Sequence, residues 1–325
     1  MLASWGLAAC GERKERTAPS APPRPLTLML NSSPDADHAA LYAAVANGDF
    51  RTVGLQVMPQ APSDSSAPLK LLAAGRADMA ISYEPDVLLA RDQGMRLVSV
   101  GSLVGRPLSS IIALGARHIR GPRDLRGKTV GTAGMPYQSA ELHAILGHAG
   151  LPASSARETN VGPDLVGAMR SQRVDATLGG SWNYDAIQLQ LKHKNPTVIP
   201  VDQAGVPTYS ELVLVVREDE ARNRGPLLRA FLRALDRGQR EVRADPARAI
   251  QPLLATNRAL DPHLQISSVR HTLAATPVPR GHSFGFQDPA AWEAFGRWML
   301  GQGLLRRQPF AGQALTNEFL PGEGI

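Results

Sequence analysis

Few residues in this chain carry the types and spacing that chemistry needs. Cys10 is the only cysteine, which excludes a disulfide framework and a zinc site built from cysteine pairs. The eight histidines contain no H-E-x-x-H. His143 and His148 are five apart, so on a helix they diverge by more than a right angle and make a poor metal pair. Gly131-Thr132-Ala133-Gly134 is the nearest approach to a phosphate-cradling glycine loop and is too short for one, and no G-x-S-x-G elbow presents a serine. Carboxylates abound, but local spacing forces no two together. Nothing in these patterns demands catalysis, and neither a cofactor nor a metal is expected. The net charge of +6 comes mostly from scattered arginines, aromatics are only 5%, and no basic run interleaves with them. A nucleic-acid partner is therefore not expected.

With 43% apolar residues the chain can bury a sizeable core. Leu7-Ala8-Ala9-Cys10 resembles a bacterial lipobox, in which the cysteine is acylated and anchors the protein to a membrane. The competing reading is a chance cysteine in a disordered start, since the stretch before it is short and lacks a basic region. Residues 11–25, with four prolines, read as a flexible tether. Short apolar runs then alternate with helical patterns, the signature of α/β architecture with largely parallel strands. A strand at 26–30, a polar loop at 31–37 and a helix carrying Leu41, Tyr42 and Val45 are echoed by a strand at 128–132, a loop at 133–138 and a helix at 139–147. Arg76-Ala77-Asp78 is likewise echoed 97 residues later by Arg173-Val174-Asp175. The echo predicts two similar Rossmann-like lobes, whose strand-end loops face each other across one cleft. Residues 26–114 with 212–325 are expected to form lobe 1, and 115–211 lobe 2. The extended runs at 110–114 and 211–216 are the expected hinge strands. Asp245-Pro246 and Asp288-Pro289 mark two later helix starts, and Trp292, Phe295 and Met299 share a core-facing helical stripe.

Several segments carry a resemblance to a known family. They are Leu30-Asn31-x-x-Pro34-x-x-Asp37-His38 leading to Leu41-Tyr42, Ala73-x-Gly75-Arg76-Ala77-Asp78, Asp124-Leu125-Arg126-Gly127-Lys128, Gly134-Met135-Pro136, Trp182-Asn183-Tyr184, and Gly205-Val206-Pro207-x-Tyr209-x-Glu211-Leu212-Val213. Together they resemble the solute-binding proteins of ABC importers that handle thiamin pyrimidine precursors, a branch related to the fungal pyrimidine synthases. The resemblance implies a type II periplasmic-binding fold with a two-strand hinge. It also implies an extracytoplasmic, lipid-anchored monomer that traps a small heteroaromatic solute for an ABC permease and its ATPase.

It further implies a site. A pyrimidine needs a flat face to stack on and a carboxyl or amide to pair with its amino group and ring nitrogens. Trp182 and Tyr184 are the expected plates, Asn31 and Asn183 the bridging amides, and Glu211 the charged acceptor. His38 and Tyr83 are expected to line the first-lobe wall. The Gly134, Met135 and Tyr137 loop offers N–H groups at a helix start. Each residue also has an ordinary structural role open to it: Trp182 or Tyr184 packs under a lobe, Glu211 caps or pairs with an arginine, His38 caps its helix, and Glu84 sits in a solvated loop. Ser32 stands where relatives tend to carry an aromatic, which leaves room for another planar heterocycle such as a flavin precursor. A receptor for sulfonates or similar anions and a pyrimidine synthase-type enzyme are the competing functions on the same fold. Against the enzyme, Ile81 and Pro85 stand at the positions of the synthases' lysine and histidine, and residues 206–216 contain no cysteine.

Overall fold

The computed structural model describes residues 22–322 apart from 65, 276 and 277; Cys10 lies outside the described residues. Its strands are β1 (Arg24–Met29), β2 (Leu55–Gln60), β3 (Met79–Ser82), β4 (Leu97–Val104), β5 (Ser109–Leu114), β6 (Thr129–Thr132), β7 (Arg157–Asn160), β8 (Ala176–Ser181), β9 (Pro196–Pro200) and β10 (Leu212–Arg217). They form two sheets, ordered β2-β1-β3-β10-β4 and β7-β6-β8-β5-β9. β1 pairs in parallel with β2 and β3, and β6 with β7 and β8. One strand in each sheet runs against its neighbours: β10 between β3 and β4, and β5 between β8 and β9. Two doubly wound lobes result, with helices on both faces. Among the described residues no helix is long and apolar enough to cross a membrane.

The internal echo has a physical basis. Asp78 closes the turn before β3, where its Oδ2 accepts the Thr27 N–H at 2.8 Å while its own N–H donates to Thr27 O. Asp175 does the same before β8, with Oδ2 accepting the Thr129 N–H at 2.9 Å and the Asp175 N–H donating to Thr129 O. In each lobe this aspartate ties the first strand of the unit to the third.

Two expectations are corrected. The tether ends sooner than residue 25, because Arg24 and Pro25 already pair with Leu55 and Gln56. The first lobe ends at β4, not at 114: β5 lies inside the second sheet, paired to Ser181 through Ala176 on one side and Pro200 through Pro196 on the other. An apolar run such as Ser-Ser-Ile-Ile-Ala-Leu is equally at home in either sheet, and only pairing decides. The chain therefore crosses between lobes at 105–108 and again at 201–211, and neither β5 nor β10 is itself a crossing strand.

Both faces of the first sheet are buried. Leu28, Phe50, Leu214 and Phe231 pack on one, and Met29, Val87, Val213, Trp292 and Phe295 on the other. The second cluster runs on through Tyr209, whose ring lies 4.7 Å from that of Phe295, into the helix and strands of lobe 2. On the first face the helix Gly225–Ala244 lies against Ala39–Ala46. Gly238 permits the approach: a Cβ there would sit 2.2 Å from Ala40 O.

Candidate ligand-binding cleft

The loop after β1 is braced from within. Asp35 accepts the Asp37 N–H, and its Oδ1 lies 2.9 Å from His38 Nδ1. His38 Nε2 meets Asn31 Oδ1 at 2.9 Å, and Asn31 Nδ2 donates to the Tyr83 hydroxyl at 3.0 Å. Burial opposes charge on His38, but the charge and hydrogen bonds of Asp35, together with Asp37, outweigh it and hold the imidazole above its ordinary value. His38 is 1% exposed and both ring nitrogens are engaged. It therefore holds Asn31 through a side-chain bond, the bracing role its burial favours.

Glu211 sits just before β10, where its Oε2 accepts the Leu108 N–H at 2.8 Å, so one crossing segment clasps the other. Burial pushes its carboxyl up to about 7, against the lowering effect of the Leu108 and Ser109 amides. Asp86 is raised to about 7 by burial and by Glu211, and Glu141 to about 8 by the same two causes, against its bond from the Tyr209 hydroxyl. Asp37 rises to about 8, through burial first and Asp35 second. Burial and the fields of Asp86, Glu141, Glu211 and Tyr83 raise the Tyr137 hydroxyl well above its usual range. Glu211, Asp86, Tyr83 and Asp37 are all strongly desolvated, yet each keeps part of its surface open to water. These four groups are enclosed by protein but still reachable by solvent. Asn31, Tyr83 and Asp86 belong to lobe 1, Glu211 stands where the chain returns from lobe 2 to lobe 1, and Tyr137 and Glu141 of lobe 2 are buried.

The Trp182-Asn183-Tyr184 segment follows β8 as expected, but it is fastened to lobe 1. Trp182 Nε1 donates to Pro107 O at 2.9 Å, and the Arg106 guanidinium lies 5.7 Å from its ring centre. Asn183 Nδ2 donates to Asp37 Oδ1 at 2.8 Å and to Thr272 Oγ1 at 2.7 Å. Gln265 Nε2 donates to the Tyr184 hydroxyl at 3.0 Å. Asn183 is fully buried with its amide protons spent across the lobe boundary, so it holds the lobes together where a bridge to ligand was expected. The Gly134 and Met135 N–H groups are also spoken for, since both donate to Gln138 Oε1, at 3.0 and 3.1 Å. Glu84, expected in a solvated loop, is 1% exposed and accepts the Ser210 N–H at 2.7 Å.

Sequence reasoning missed Asp86 and Glu141. A signal for Glu141 was present: it shares a helical stripe with Tyr137 and Ile145, a carboxyl at a core position. Among the described residues no cluster of three or more His, Cys, Asp or Glu side chains has the geometry of a metal site. Five carboxyls (Asp35, Asp37, Asp86, Glu141, Glu211) lie close enough along the lobe boundary to feel one another's charge. The nearby Arg106 pairs with Asp202 through one terminal nitrogen, at 2.9 Å.

Comparison with known proteins agrees with this architecture. A family model described as "NMT1/THI5 like" matches residues 35–249. The chain is 33% identical over 297 residues to a formylaminopyrimidine-binding protein of Halalkalibacterium halodurans, covering 89% of each chain. It is 25% identical over 237 residues to a 4-amino-5-hydroxymethyl-2-methylpyrimidine phosphate synthase of Aspergillus parasiticus, covering 70% of this chain and 69% of the relative. The fold matches that of the alkanesulfonate-binding protein SsuA from Xanthomonas axonopodis pv. citri with a TM-score of 0.69, at 18% identity, covering 91% of this chain and 99% of that one. The family model's match over most of the sequence and the 33% identity across 89% of the chain place it in the NMT1/THI5-like family.

Proposed function

We propose that this chain is a receptor for a small aminopyrimidine of the thiamin-precursor type, held in the inter-lobe cleft. The observation that carries the reading is the place of the Glu211 carboxyl, enclosed between the two crossing segments with its Oε2 held by the Leu108 N–H at 2.8 Å, where burial pushes it up to about 7. A carboxyl titrating near neutrality presents one acceptor and one donor side by side when protonated. That is the complement of a ring nitrogen next to an exocyclic amino group. When ionised it pairs instead with a protonated ring, a charge-assisted bond of roughly twice the ordinary strength. Tyr83, Tyr137 and the half-buried Trp182 and Tyr184 supply flat surface on either side, and Asn31 a further amide. The same setting disfavours a sulfonate, because the carboxyls around the cleft have no free cation among its described lining to offset them. The kinship with an alkanesulfonate-binding protein thus supports the fold alone.

The receptor reading is preferred to a synthase. Residues 206–216 contain no cysteine, and Ile81 and Pro85 offer neither an amine nor an imidazole. Incubation with iron and pyridoxal phosphate that gave a pyrimidine product would overturn this preference. As a receptor the chain works outside the cytoplasm as a monomer. It delivers its solute to an ABC permease and ATPase and is tethered through acylated Cys10, a residue outside the described part of the chain. The functional test is mass spectrometry of small molecules carried through purification, together with a thermal-shift panel of aminopyrimidines, riboflavin and alkanesulfonates. A ligand at 100-fold excess over its dissociation constant adds ~2.7 kcal/mol of stability. A shift from a sulfonate or a flavin with none from any aminopyrimidine would refute the proposal.

A further inference from the structure

A recess of about 540 Å³ is not lined by Asn31, Tyr83, Tyr137, Trp182 or Glu211. It lies beside both crossing segments, with Gly105 and Arg106 from one and Thr208 to Ser210 from the other. Further walls come from the end of the Gly225–Ala244 helix and from residues 282–292. Its lining gathers polar groups that protein structures rarely leave unmatched. Trp292 Nε1, Glu84 Oε1 and Arg106 Nε are buried without a hydrogen-bond partner, although Trp292 and Glu84 are only 2% and 1% exposed. Nine-tenths or more of such groups are normally paired, and leaving one unpaired costs ~1–3 kcal/mol. Arg243, at the rim, has no ion pair among the described residues.

The unmatched set is rich in donors: an indole N–H, a guanidinium N–H and a free guanidinium. Burial raises the Glu84 carboxyl to about 8, so at neutral pH it bears a proton and does not repel an anion. Asp288 also lines the recess, but its Oδ1 is engaged in capping its own helix, accepting the Ala290 N–H at 2.9 Å. Between these polar groups the walls are flat and apolar, formed by Leu103, Phe284 and Phe286. The volume falls in the range of small-molecule sites, roughly 300–1,000 Å³.

We propose that this recess is a second ligand site, for a small aromatic monocarboxylate, with its head on Arg243, its ring against Phe284 and Phe286, and the unpaired Arg106 and Trp292 N–H groups in the wall behind it. Because both crossing segments line it, an occupant contacts the hinge directly. Its binding free energy therefore depends on the angle between the lobes, and by linkage the two sites alter each other's affinity by the same factor.

The test is calorimetric titration of the full chain with 2-naphthoate, beside the neutral 2-naphthalenemethanol. The expected result is one saturable site, with the alcohol bound at least tenfold more weakly. Arg243→Glu, a change at an exposed helix end, lowers naphthoate affinity at least tenfold, and Ala291→Trp, which fills the recess, removes binding. Both variants keep the wild-type affinity for 4-amino-5-hydroxymethyl-2-methylpyrimidine. Absence of naphthoate binding, equal binding by Arg243→Glu, or simple competition with the aminopyrimidine would overturn the proposal. The naphthoate titration stands even if no pyrimidine binds the cleft, so the two readings fail separately.

Discussion

Replacing Glu211 by glutamine keeps the side chain's shape and its bond from the Leu108 N–H but removes a desolvated charge. The effect on stability has a definite sign. The folded-state carboxyl titrates at about 7, above its ordinary 4.5, so the native chain holds this proton more tightly than the unfolded chain. Stability from this group is fully present below about pH 4.5, falls as pH rises through 7, and stays low above it. At ~1.4 kcal/mol per pH unit, that interval amounts to about 3 kcal/mol. Glu211→Gln should therefore match the wild type near pH 4.5 and exceed it by up to about 3 kcal/mol at pH 8. Its advantage should grow across the interval between. Loss of the Glu211 charge also relieves Asp86 and Glu141, both of which it raises, and flattens the profile further. Urea midpoints at pH 5, 6, 7 and 8 measure this. Wild-type and variant curves that stay parallel across the range would refute the desolvated-carboxyl reasoning.

Asn183→Ala removes two donations across the lobe boundary, to Asp37 and Thr272. It should cost ~1–3 kcal/mol and shift the lobes toward an open form, seen as a larger radius of gyration in small-angle scattering; an unchanged radius would contradict the clasp. Gly238→Val drives a branched side chain into Ala40 O, which a Cβ alone would approach to 2.2 Å. It should lower stability by ~1–3 kcal/mol or more, measured as a fall in thermal midpoint, and an unaltered midpoint would show that the two helices are not in contact there. Asp78→Asn and Asp175→Asn each weaken one strand-tying bond to an amide N–H. Each should cost ~1 kcal/mol, and strongly unequal losses would break the equivalence of the two lobes.

Much of the architecture was legible because it is local. The Arg-x-Asp turn marks both lobes, since each aspartate must reach back to a strand about fifty residues earlier, and the residue types advertise it. Asp245 and Asp288 cap their helices as their Asp-Pro pairs suggest, through the Arg248 and Ala290 amides. Trp292, Phe295 and Met299 are buried as their spacing requires. The lobe boundary was not legible, because β5 has the same composition whether it hydrogen-bonds in one sheet or the other. Within the cleft, Glu211 was visible as a carboxyl at the mouth of an apolar strand. The partners of His38 and Asn183 were not legible because burial and prior engagement are tertiary properties: Asn183 meets Asp37 146 residues away in sequence. The Gly134 and Met135 amides looked free because side-chain direction is not legible in a loop: Gln138, four residues after Gly134, folds back to accept both.

The most direct test is calorimetric titration of wild type and Glu211→Gln with 4-amino-5-hydroxymethyl-2-methylpyrimidine at pH 7. The wild type should bind one molecule, and the variant should lose ~1.5–3 kcal/mol, the worth of a hydrogen bond to a charged group. That loss corresponds to a tenfold to somewhat over hundredfold fall in affinity. Equal affinity in the two proteins, or no binding by the wild type, would contradict a carboxyl-paired aminopyrimidine between the lobes.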